Sequence, residues 1–521
     1  MRTTAAGHQL CQRFDMATFN LPCCRQLFEF FSHNFLVSRP TTRMPLLKLV
    51  TGQNPRQIAA QILQQRRPNG EFTENLLDRA LLQAHLSPPD RGLCQELVYG
   101  VVRRQASLDW LIDRKTAGRQ QKVALQNLLR LGLYQLFWLD RIPAHAAVHE
   151  TVELAKHLGF GPQAGFVNAV LRGYVREIDA TKKQLADLKT SDPATGHSHP
   201  RWLVERWQKR FGPERTQELL EWNNTAPKTY ARANTLRFGK SAIGNRQSAI
   251  DQSLLTSAPT KIRGNAGDLI EQWRTEGVDY DFKTYDWTGE NLAFELKAHP
   301  PLTSLESFRN GWFYVQDPST LLAPHILDPQ AGDTVLDLCA APGGKTTFIA
   351  QLIGNQGKIV ACDISDDRLK LVRENCERLG VTCVQPFTID DLRLTIYGQR
   401  EKPSASASSI QPLAFDRILV DAPCSNTGVM RRRVDLRWRI AFEEIGRLQQ
   451  AQLDLLKLAA TKLKPGGVLV YSTCSLEPEE NISVTKEFLA SHKNFKLESE
   501  RELRPFADQV DGAYVAKFIA V

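Results

Sequence analysis

The chain has 521 residues, too many for one ordinary domain, so we expect several separately folded cores. Hydrophobic residues make up 42% and charged residues 24%, which excludes a disordered chain and a disulfide scaffold, and no apolar run is long enough to cross a bilayer. The net charge of +9 favours a phosphate-bearing partner, but charge alone does not distinguish RNA from DNA or from an ordinary solvated surface.

Three regions precede the most informative part of the chain. Residues 1–50 form an N-terminal extension, rich in arginine, to which we assign no role. From 51 to 185 apolar residues recur at helical spacing, which predicts an all-α domain. From 190 to 315 a helical stretch gives way to short alternating segments, which predicts a small mixed α/β domain.

The region 316–521 repeats a pattern of strand, loop and helix. Its apolar, β-rich runs at 334–339, 358–363, 416–423 and 466–474 each enter a loop, as in a doubly wound parallel sheet of the Rossmann-like α/β class. Ligands of such sheets bind at the carboxyl ends of the strands. Those ends carry Cys339, Asp363, Asp421 and Cys474, so we expect the functional site to be built from them.

The loop from Asp337 to Thr346 joins a strand to a helix and is rich in small residues, which let backbone approach a ligand closely. A phosphate-binding Walker A loop would need a glycine where Cys339 stands, and the GxGxxG of a classical dinucleotide site is missing. Asp363, at the end of the second strand, is placed to accept both hydroxyls of a ribose. Together these features indicate a nucleoside cofactor without a pyrophosphate.

A cysteine follows each of two strands, Cys424 in DAPCS and Cys474 in STCS. One such cysteine is more often a small buried hydrophobe, but two at one sheet edge beside an acid favour nucleophilic chemistry. A thiolate that adds to C6 of a cytosine, while an acid stabilises N3, makes C5 able to accept a methyl group. The ten cysteines show no zinc-type spacing, so we expect no metal and reduced thiols, as in a cytoplasmic protein.

Three strings carry a resemblance to a known family: DLCAAPGGKT (337–346), DAPCSNTGVMRR (421–432) and YSTCSLEPEEN (471–481). They resemble the RNA cytosine-C5 methyltransferases, in particular the RsmB (Sun/Fmu) group that acts on 16S ribosomal RNA. RGLCQELVYGVVRR (91–104), IPAHAAVHETVELAK (142–156) and FVNAVLRG (166–173) resemble the NusB-like RNA-binding domain of that group. The likeness spans roughly residues 54–521.

The resemblance implies S-adenosylmethionine as cofactor, Cys474 as nucleophile, Cys424 as the thiol that releases product, and Asp421 as the acid near the base. It also implies cofactor contacts from the loop and the strand ends: Cys339, Ala340, Ala341, Pro342, Gly343, Gly344, Lys345, Asp363, Asp391 and Asp421. For the third-strand acid, Asp390 stays an alternative to Asp391.

The implied activity is methylation of C5 of one cytosine in small-subunit ribosomal RNA, as free RNA or an early assembly intermediate, by a monomer with no membrane partner. Another RNA such as tRNA, a DNA-type enzyme with Cys424 as nucleophile, and a non-catalytic RNA-binding factor remain alternatives. The run Arg431 to Arg433, with Arg437, is expected to grip phosphate, and Trp438 is expected either to stack on a base or to pack in the core. Lys345 is either a cofactor-loop contact or a solvent-facing lysine at a helix start.

Overall fold

The computed structural model describes residues 54–67, 70–238, 267–289, 292–389 and 414–521. The N-terminal extension and both candidates for the third-strand acid, Asp390 and Asp391, lie outside these described residues. Within the described ranges, no helix combines the length and the apolar character that crossing a bilayer requires.

The first part of the described chain is helical, as the spacing of its apolar residues predicts. We call α1 to α8 the helical domain: Pro55–Gln65, Thr73–Gln83, Pro88–Arg103, Gln105–Thr116, Val123–Trp138, Ala144–His157, Ala164–Arg176 and Ile178–Ser191. The Asn54 side chain caps α1 by accepting from the amide of Arg56 at 2.9 Å. The apolar faces of these helices meet in one core that includes Leu77, Leu97 and Leu128.

Two helices then lead into a small antiparallel sheet. They are α9 (Pro193–Gly196) and α10 (Arg201–Asn223), and α10 is kinked where Gly212 adopts a φ of 80° before Pro213. The small domain that follows contains β1 (Thr229–Ala233), α11 (Thr235–Phe238), α12 (Gly267–Glu276), β2 (Asp279–Lys283), β3 (Ala293–Ala298), α13 (Glu306–Arg309) and β4 (Phe313–Val315). Its strand order is β2-β3-β1-β4, and Trp273 of α12 fills its core. The mixed α/β prediction for this region is confirmed.

The C-terminal domain is a sheet flanked by helices. Its strands are β5 (Thr334–Leu338), β6 (Lys358–Asp363), β7 (Val384–Thr388), β8 (Phe415–Asp421), β9 (Leu463–Thr473), β10 (Phe495–Leu503) and β11 (Ala513–Ala520). Its helices are α14 (Leu322–Leu327), α15 (Gly344–Leu352), α16 (Asp366–Leu379), α17 (Phe442–Ala460), α18 (Ile482–Ser491) and α19 (Pro505–Asp508). The strand order is β10-β11-β9-β8-β5-β6-β7.

The sheet is mixed, which corrects the expectation of a purely parallel one. Strands β5 to β9 run parallel, but β11 pairs antiparallel with β9, and β10 pairs antiparallel with β11. The connection from β10 to β11 is too short for the crossover that a parallel pair needs, so these two strands form an antiparallel hairpin. The chain reverses its direction of strand addition between β5 and β8, and this switch point opens a crevice at their carboxyl ends.

In the arginine run after Cys424, Arg431 is buried, Arg432 is partly buried and Arg433 is exposed, which corrects the expected role of the first two as a phosphate grip. The Arg431 side chain is 1% exposed and pairs with Asp511 at 2.6 Å and with Asp317 at 3.1 Å. Arg432 binds the same two carboxylates, at 2.5 and 2.8 Å. The buried carboxylates of Asp317 and Asp511 are thus neutralised by the guanidinium groups of Arg431 and Arg432. These two arginines hold the C-terminal domain together instead of presenting charge to RNA.

The segment 435–438 docks the C-terminal domain on the helical domain. Asp435 accepts from the amide and the hydroxyl of Thr73, at 2.6 and 2.7 Å, and so caps the otherwise uncapped start of α2. Trp438 donates from its indole nitrogen to the carbonyl of Val102 at 2.8 Å. Arg437 is fully buried and donates to the carbonyl oxygens of Arg103, Ser198 and Asn223 and to Oδ1 of Asn224.

Replacement of Arg437 by methionine should lower the free energy of unfolding by about 2 to 4 kcal/mol, because buried acceptors from three parts of the chain lose their donor. Urea unfolding followed by tryptophan fluorescence measures the change. Arg433, exposed in the same segment, supplies the matched control as Arg433→Met, which should stay close to the parent. Equal midpoints for the two variants would contradict the docking role of Arg437.

Candidate active site

The carboxyl ends of the parallel strands place the expected residues along one edge of the sheet. Cys339 follows β5, Asp363 ends β6, Asp421 ends β8 and Cys474 follows β9. Strand register fixes part of this arrangement, because Asp421 pairs directly with Ser472 across β8 and β9. The loops that carry the two candidate cysteines therefore leave the sheet side by side.

The two candidate thiols are in contact. The Sγ atoms of Cys424 and Cys474 are 3.3 Å apart, and the Sγ of Cys474 lies 3.0 Å from Oδ1 of Asn426. Asn426 also donates from Nδ2 to the carbonyl of Cys424 at 2.6 Å, and it adopts a left-handed φ of 58°. Sequence reasoning missed Asn426, although an asparagine in the turn-forming string SNTG was a usable signal.

The surroundings of the two thiols differ. Cys424 is buried, whereas Cys474 is partly exposed. The hydrogen bond with Cys474, together with burial, holds the pKa of Cys424 well above its ordinary value. Cys424 therefore keeps its proton near neutral pH and can donate it to the neighbouring sulfur.

Lys345 faces the site, so its interpretation as a solvent-facing lysine is wrong. Its Nζ lies 2.7 Å from Oδ2 of Asp421, while the hydroxyl of Ser472 donates to Oδ1 of Asp421 at 2.6 Å. Burial disfavours the Lys345 ammonium, but the carboxylate of Asp421, through its charge and its hydrogen bond, outweighs burial and raises the pKa of Lys345. The site thus contains a protonated lysine beside a carboxylate and a thiol.

The loop after β5 turns back on itself at two left-handed positions, Cys339 at a φ of 67° and Gly343 at a φ of 102°. The amide of Ala340 donates to the carbonyl of Cys362 at 2.8 Å, which ties the loop to β6. At Gly344, which starts α15, a Cβ would lie 3.1 Å from Cε1 of the Tyr314 ring, so a side chain there would fit only if the ring shifted slightly. The remaining loop residues predicted as contacts, Ala341 and Pro342, lie between these turns.

Asp363 already has several partners. Its Oδ2 accepts from the amide of Ala341 at 2.9 Å, and its Oδ1 accepts from the amide of Ile364 at 2.8 Å and from Nε of Arg368 at 2.6 Å. The side chain is 3% exposed. Asp363 therefore holds the loop after β5 in place and is also bound by Arg368.

Asp337 is a buried acid beneath the same loop. Its Oδ2 accepts from the hydroxyl of Thr346 at 2.6 Å, whereas its Oδ1 has no hydrogen-bond partner in the part of the chain that the structure describes. Burial raises the pKa of Asp337 to about 7. An unsatisfied buried acceptor of this kind is available to a donor group of a ligand.

Comparison with known proteins matches each part of this architecture. The profile of the 16S rRNA methyltransferase RsmB/F family matches residues 324–519, that of the NusB family matches 53–176, and that of the RsmF/B-like ferredoxin-like domain matches 199–246. The probable ribosomal RNA small subunit methyltransferase B of Synechocystis is 37% identical over 446 residues, which cover 85% of this chain and 90% of that protein. The chain belongs to the RsmB/F family.

Other relatives agree. The ribosomal RNA small subunit methyltransferase B of Escherichia coli O1:K1 is 36% identical over 479 residues, covering 90% of this chain and 99% of that protein. The crystal structure of PH0851 has a TM-score of 0.64 at 23% identity, covers 90% of this chain and 99% of its own, and shows a shared fold. Membership of the RsmB/F family confirms the resemblance found in the sequence, including its NusB-like part, and identifies the small domain as ferredoxin-like.

Oxidation with diamide should join Cys424 and Cys474 in a disulfide, because their sulfur atoms already lie in contact. Peptide mapping by mass spectrometry detects the linked pair, and dithiothreitol should reverse it. A Cys339→Ser variant should still form the link, and a Cys474→Ser variant should not. Recovery of both cysteines as free, alkylatable thiols after oxidation would show that the sulfur atoms are not neighbours in solution.

Proposed function

We propose that the protein transfers a methyl group from S-adenosylmethionine to C5 of a cytosine in 16S ribosomal RNA, with Cys474 as the covalent nucleophile. The contact between the thiols of Cys424 and Cys474, beside the Lys345–Asp421 pair, carries the proposal. Two thiols and a proton-holding pair are what addition to and elimination from a pyrimidine ring require. Membership of the RsmB/F family supports ribosomal RNA as the substrate class.

The residues at the sheet edge suit S-adenosylmethionine. Asp363 offers a carboxylate to ribose hydroxyls, the orphaned Oδ1 of Asp337 is an acceptor for a further donor, and the loop 339–345 supplies the small residues that allow a close approach. When bound, this cofactor supplies a methyl group on a positively charged sulfur. Asp421 belongs to the proposed contact set, and so does Asp391, which lies outside the described residues.

Attack on the base begins at Cys474. Its thiolate forms a bond to C6 of the cytosine, and the electrons of the C5–C6 double bond move into the ring, where N3 takes up a proton. Lys345 donates that proton, and Asp421, whose Oδ2 lies 2.7 Å from Nζ of Lys345, acts near the base by orienting the lysine for the transfer. The resulting enamine makes C5 nucleophilic, which an unmodified cytosine is not.

Release of the methylated base needs a second thiol. Once C5 carries the methyl group, its remaining proton leaves to water, the electrons of that C–H bond re-form the C5–C6 double bond, and the Cys474 sulfur departs as a thiolate, while the proton on N3 returns to Lys345. Cys424, which keeps its proton, donates a hydrogen bond to that sulfur across 3.3 Å and stabilises its departing charge. This division of roles agrees with the roles that the family resemblance implies.

Arg431 and Arg437 are buried and cannot contact RNA. We therefore place the proposed RNA-binding surface on the helical domain. We infer that a monomer in the cytoplasm acts on free ribosomal RNA or an early assembly intermediate. Bisulfite sequencing of 16S ribosomal RNA, with and without this protein, tests the proposed product. A protected cytosine that appears only with the protein supports the proposal, and identical patterns contradict it.

Asp363→Ala should weaken S-adenosylmethionine binding by about 1.5 to 3 kcal/mol, the range for hydrogen bonds to a charged group. Calorimetric titration measures the affinity. Asp366→Ala is the matched control, because the side chain of Asp366 is exposed and forms an ion pair with Arg373 at 2.6 Å. Unchanged affinity in a folded Asp363→Ala variant would remove this carboxylate from the cofactor site.

The cysteine variants should separate addition from elimination. Cys474→Ala removes the group that attacks C6, so neither a covalent adduct nor methylation is expected. Cys424→Ala leaves attack and methyl transfer possible but slows release, so protein joined to RNA should accumulate. A denaturing gel of each variant, incubated with substrate RNA and S-adenosylmethionine, gives the result. The opposite pattern would exchange the two roles, as in a DNA-type enzyme.

A further inference from the structure

Each candidate cysteine is followed by a serine, and both serines bind the same buried carboxylate. Glu480 is fully buried just before α18. Its Oε1 accepts from the amide of Ser425 at 2.8 Å, and its Oε2 accepts from the hydroxyls of Ser425 and Ser475, the latter at 2.5 Å. The two hydroxyl oxygens are 3.0 Å apart. One carboxylate thus joins the loop after β8 to the loop after β9.

We propose that Glu480 is a positioning residue that holds Cys424 and Cys474 in contact by binding the serine that follows each of them. The inference rests on the function proposed above for the two thiols. Glu480 touches neither sulfur in the described contacts, so its effect passes through Ser425 and Ser475.

The partners of Glu480 fit an ionised carboxylate. Gln452 adds a further donor, from Nε2 to Oε1 at 3.1 Å, and each of the four donors found at the carboxylate points a hydrogen at it. Burial nevertheless raises the pKa of Glu480, so the charge is retained only at the expense of its desolvation. A purely structural link between two loops needs no such charge, since paired hydroxyl and amide groups would serve.

The charge has a second consequence for the thiols. After the hydrogen bond to Cys474 and burial, the negative charge of Glu480 is a further cause that raises the pKa of Cys424. The groups that titrate or carry charge around the thiol pair, from all of the packed elements, are Cys474, Glu480, Tyr471, Lys345 and Asp421. Glu480 disfavours negative charge on Cys424, and so does the hydrogen bond with Cys474. Glu480 thus helps to keep the proton on Cys424.

The sequence contains a matched control for this residue. Glu479 is adjacent to Glu480, but its side chain is 36% exposed and pairs with Arg206 of α10. Glu480→Gln keeps the shape of the side chain and removes its charge, and Glu479→Gln makes the same change outside the cluster. Ser475→Ala keeps the charge and removes one arm of the link.

The first measurement needs no RNA. Alkylation of Cys424 by iodoacetamide, followed as a function of pH by mass spectrometry of its peptide, should shift to lower pH in Glu480→Gln, because a thiolate forms more readily once a buried negative neighbour is removed. Glu479→Gln should follow the parent curve. An unshifted curve in folded Glu480→Gln would overturn the proposal.

Ser475→Ala tests the link itself, and it also serves if Glu480→Gln fails to fold. Formation of the Cys424–Cys474 disulfide by diamide should slow at least several-fold in Ser475→Ala, because one of the two serine hydroxyls that join the loops to Glu480 is removed. A parental rate of disulfide formation would overturn the positioning role.

Turnover separates this inference from the proposed function. With substrate RNA and S-adenosylmethionine, Glu480→Gln should lower kcat and accumulate the covalent adduct, with KM for RNA unchanged, as expected for a group that acts on the thiols and not on RNA binding. A raised KM with unchanged kcat would overturn the role of Glu480. If the parent protein fails to methylate while the alkylation shift is present, the proposed function fails and the positioning of the thiols stands.

Discussion

The register of two parallel strands is the constraint on which the site depends. Asp421 of β8 pairs with Ser472 of β9, so the segments that follow them start from neighbouring positions at one edge of the sheet. Cys424 and Cys474 each follow within a few residues, and their sulfur atoms come within 3.3 Å. A slip of one residue would turn every side chain of β9 to the other face and separate the thiols.

Because this contact joins two loops, the surrounding structure must hold the loops against each other. The amide of Gly428 donates to the carbonyl of Cys474 at 2.9 Å, and the amide of Leu476 donates to the hydroxyl of Thr427 at 2.8 Å. Beyond Thr427 the chain continues into the buried arginines. There Arg437 donates to the carbonyl of Arg103 in the helical domain and to the carbonyls of Ser198 and Asn223, which lie before and at the end of α10. The placement of the helical domain and that of the Cys424 loop are therefore connected through one short segment.

The electrostatic arrangement of the site is asymmetric, and the asymmetry gives each thiol its chemistry. Lys345 is protonated by the influence of Asp421, whereas Cys424 is buried against a hydrogen-bonded sulfur and a carboxylate. The surroundings of Cys424 hold its pKa well above the ordinary value for a cysteine, so this thiol keeps its proton. At the other end of the crevice, Asp363 is engaged by Arg368, so the acid expected to meet a ribose also has a local structural task.

The sequence by itself determined the helical and Rossmann-like domains, the strand ends that carry Cys339, Asp363, Asp421 and Cys474, and membership of the RsmB/F family, because periodicity and short motifs are local properties of the chain. Only the tertiary structure decided that Lys345 faces Asp421, that Arg431 and Arg437 are buried, that β10 and β11 run antiparallel, and that Asn426 and Glu480 join the thiol loops. These properties depend on partners that are far apart in sequence. From sequence alone an arginine is expected at the surface, unless the carboxylate or carbonyl that it binds in the interior is known. The acidity of a thiol likewise depends on neighbours that packing alone brings together.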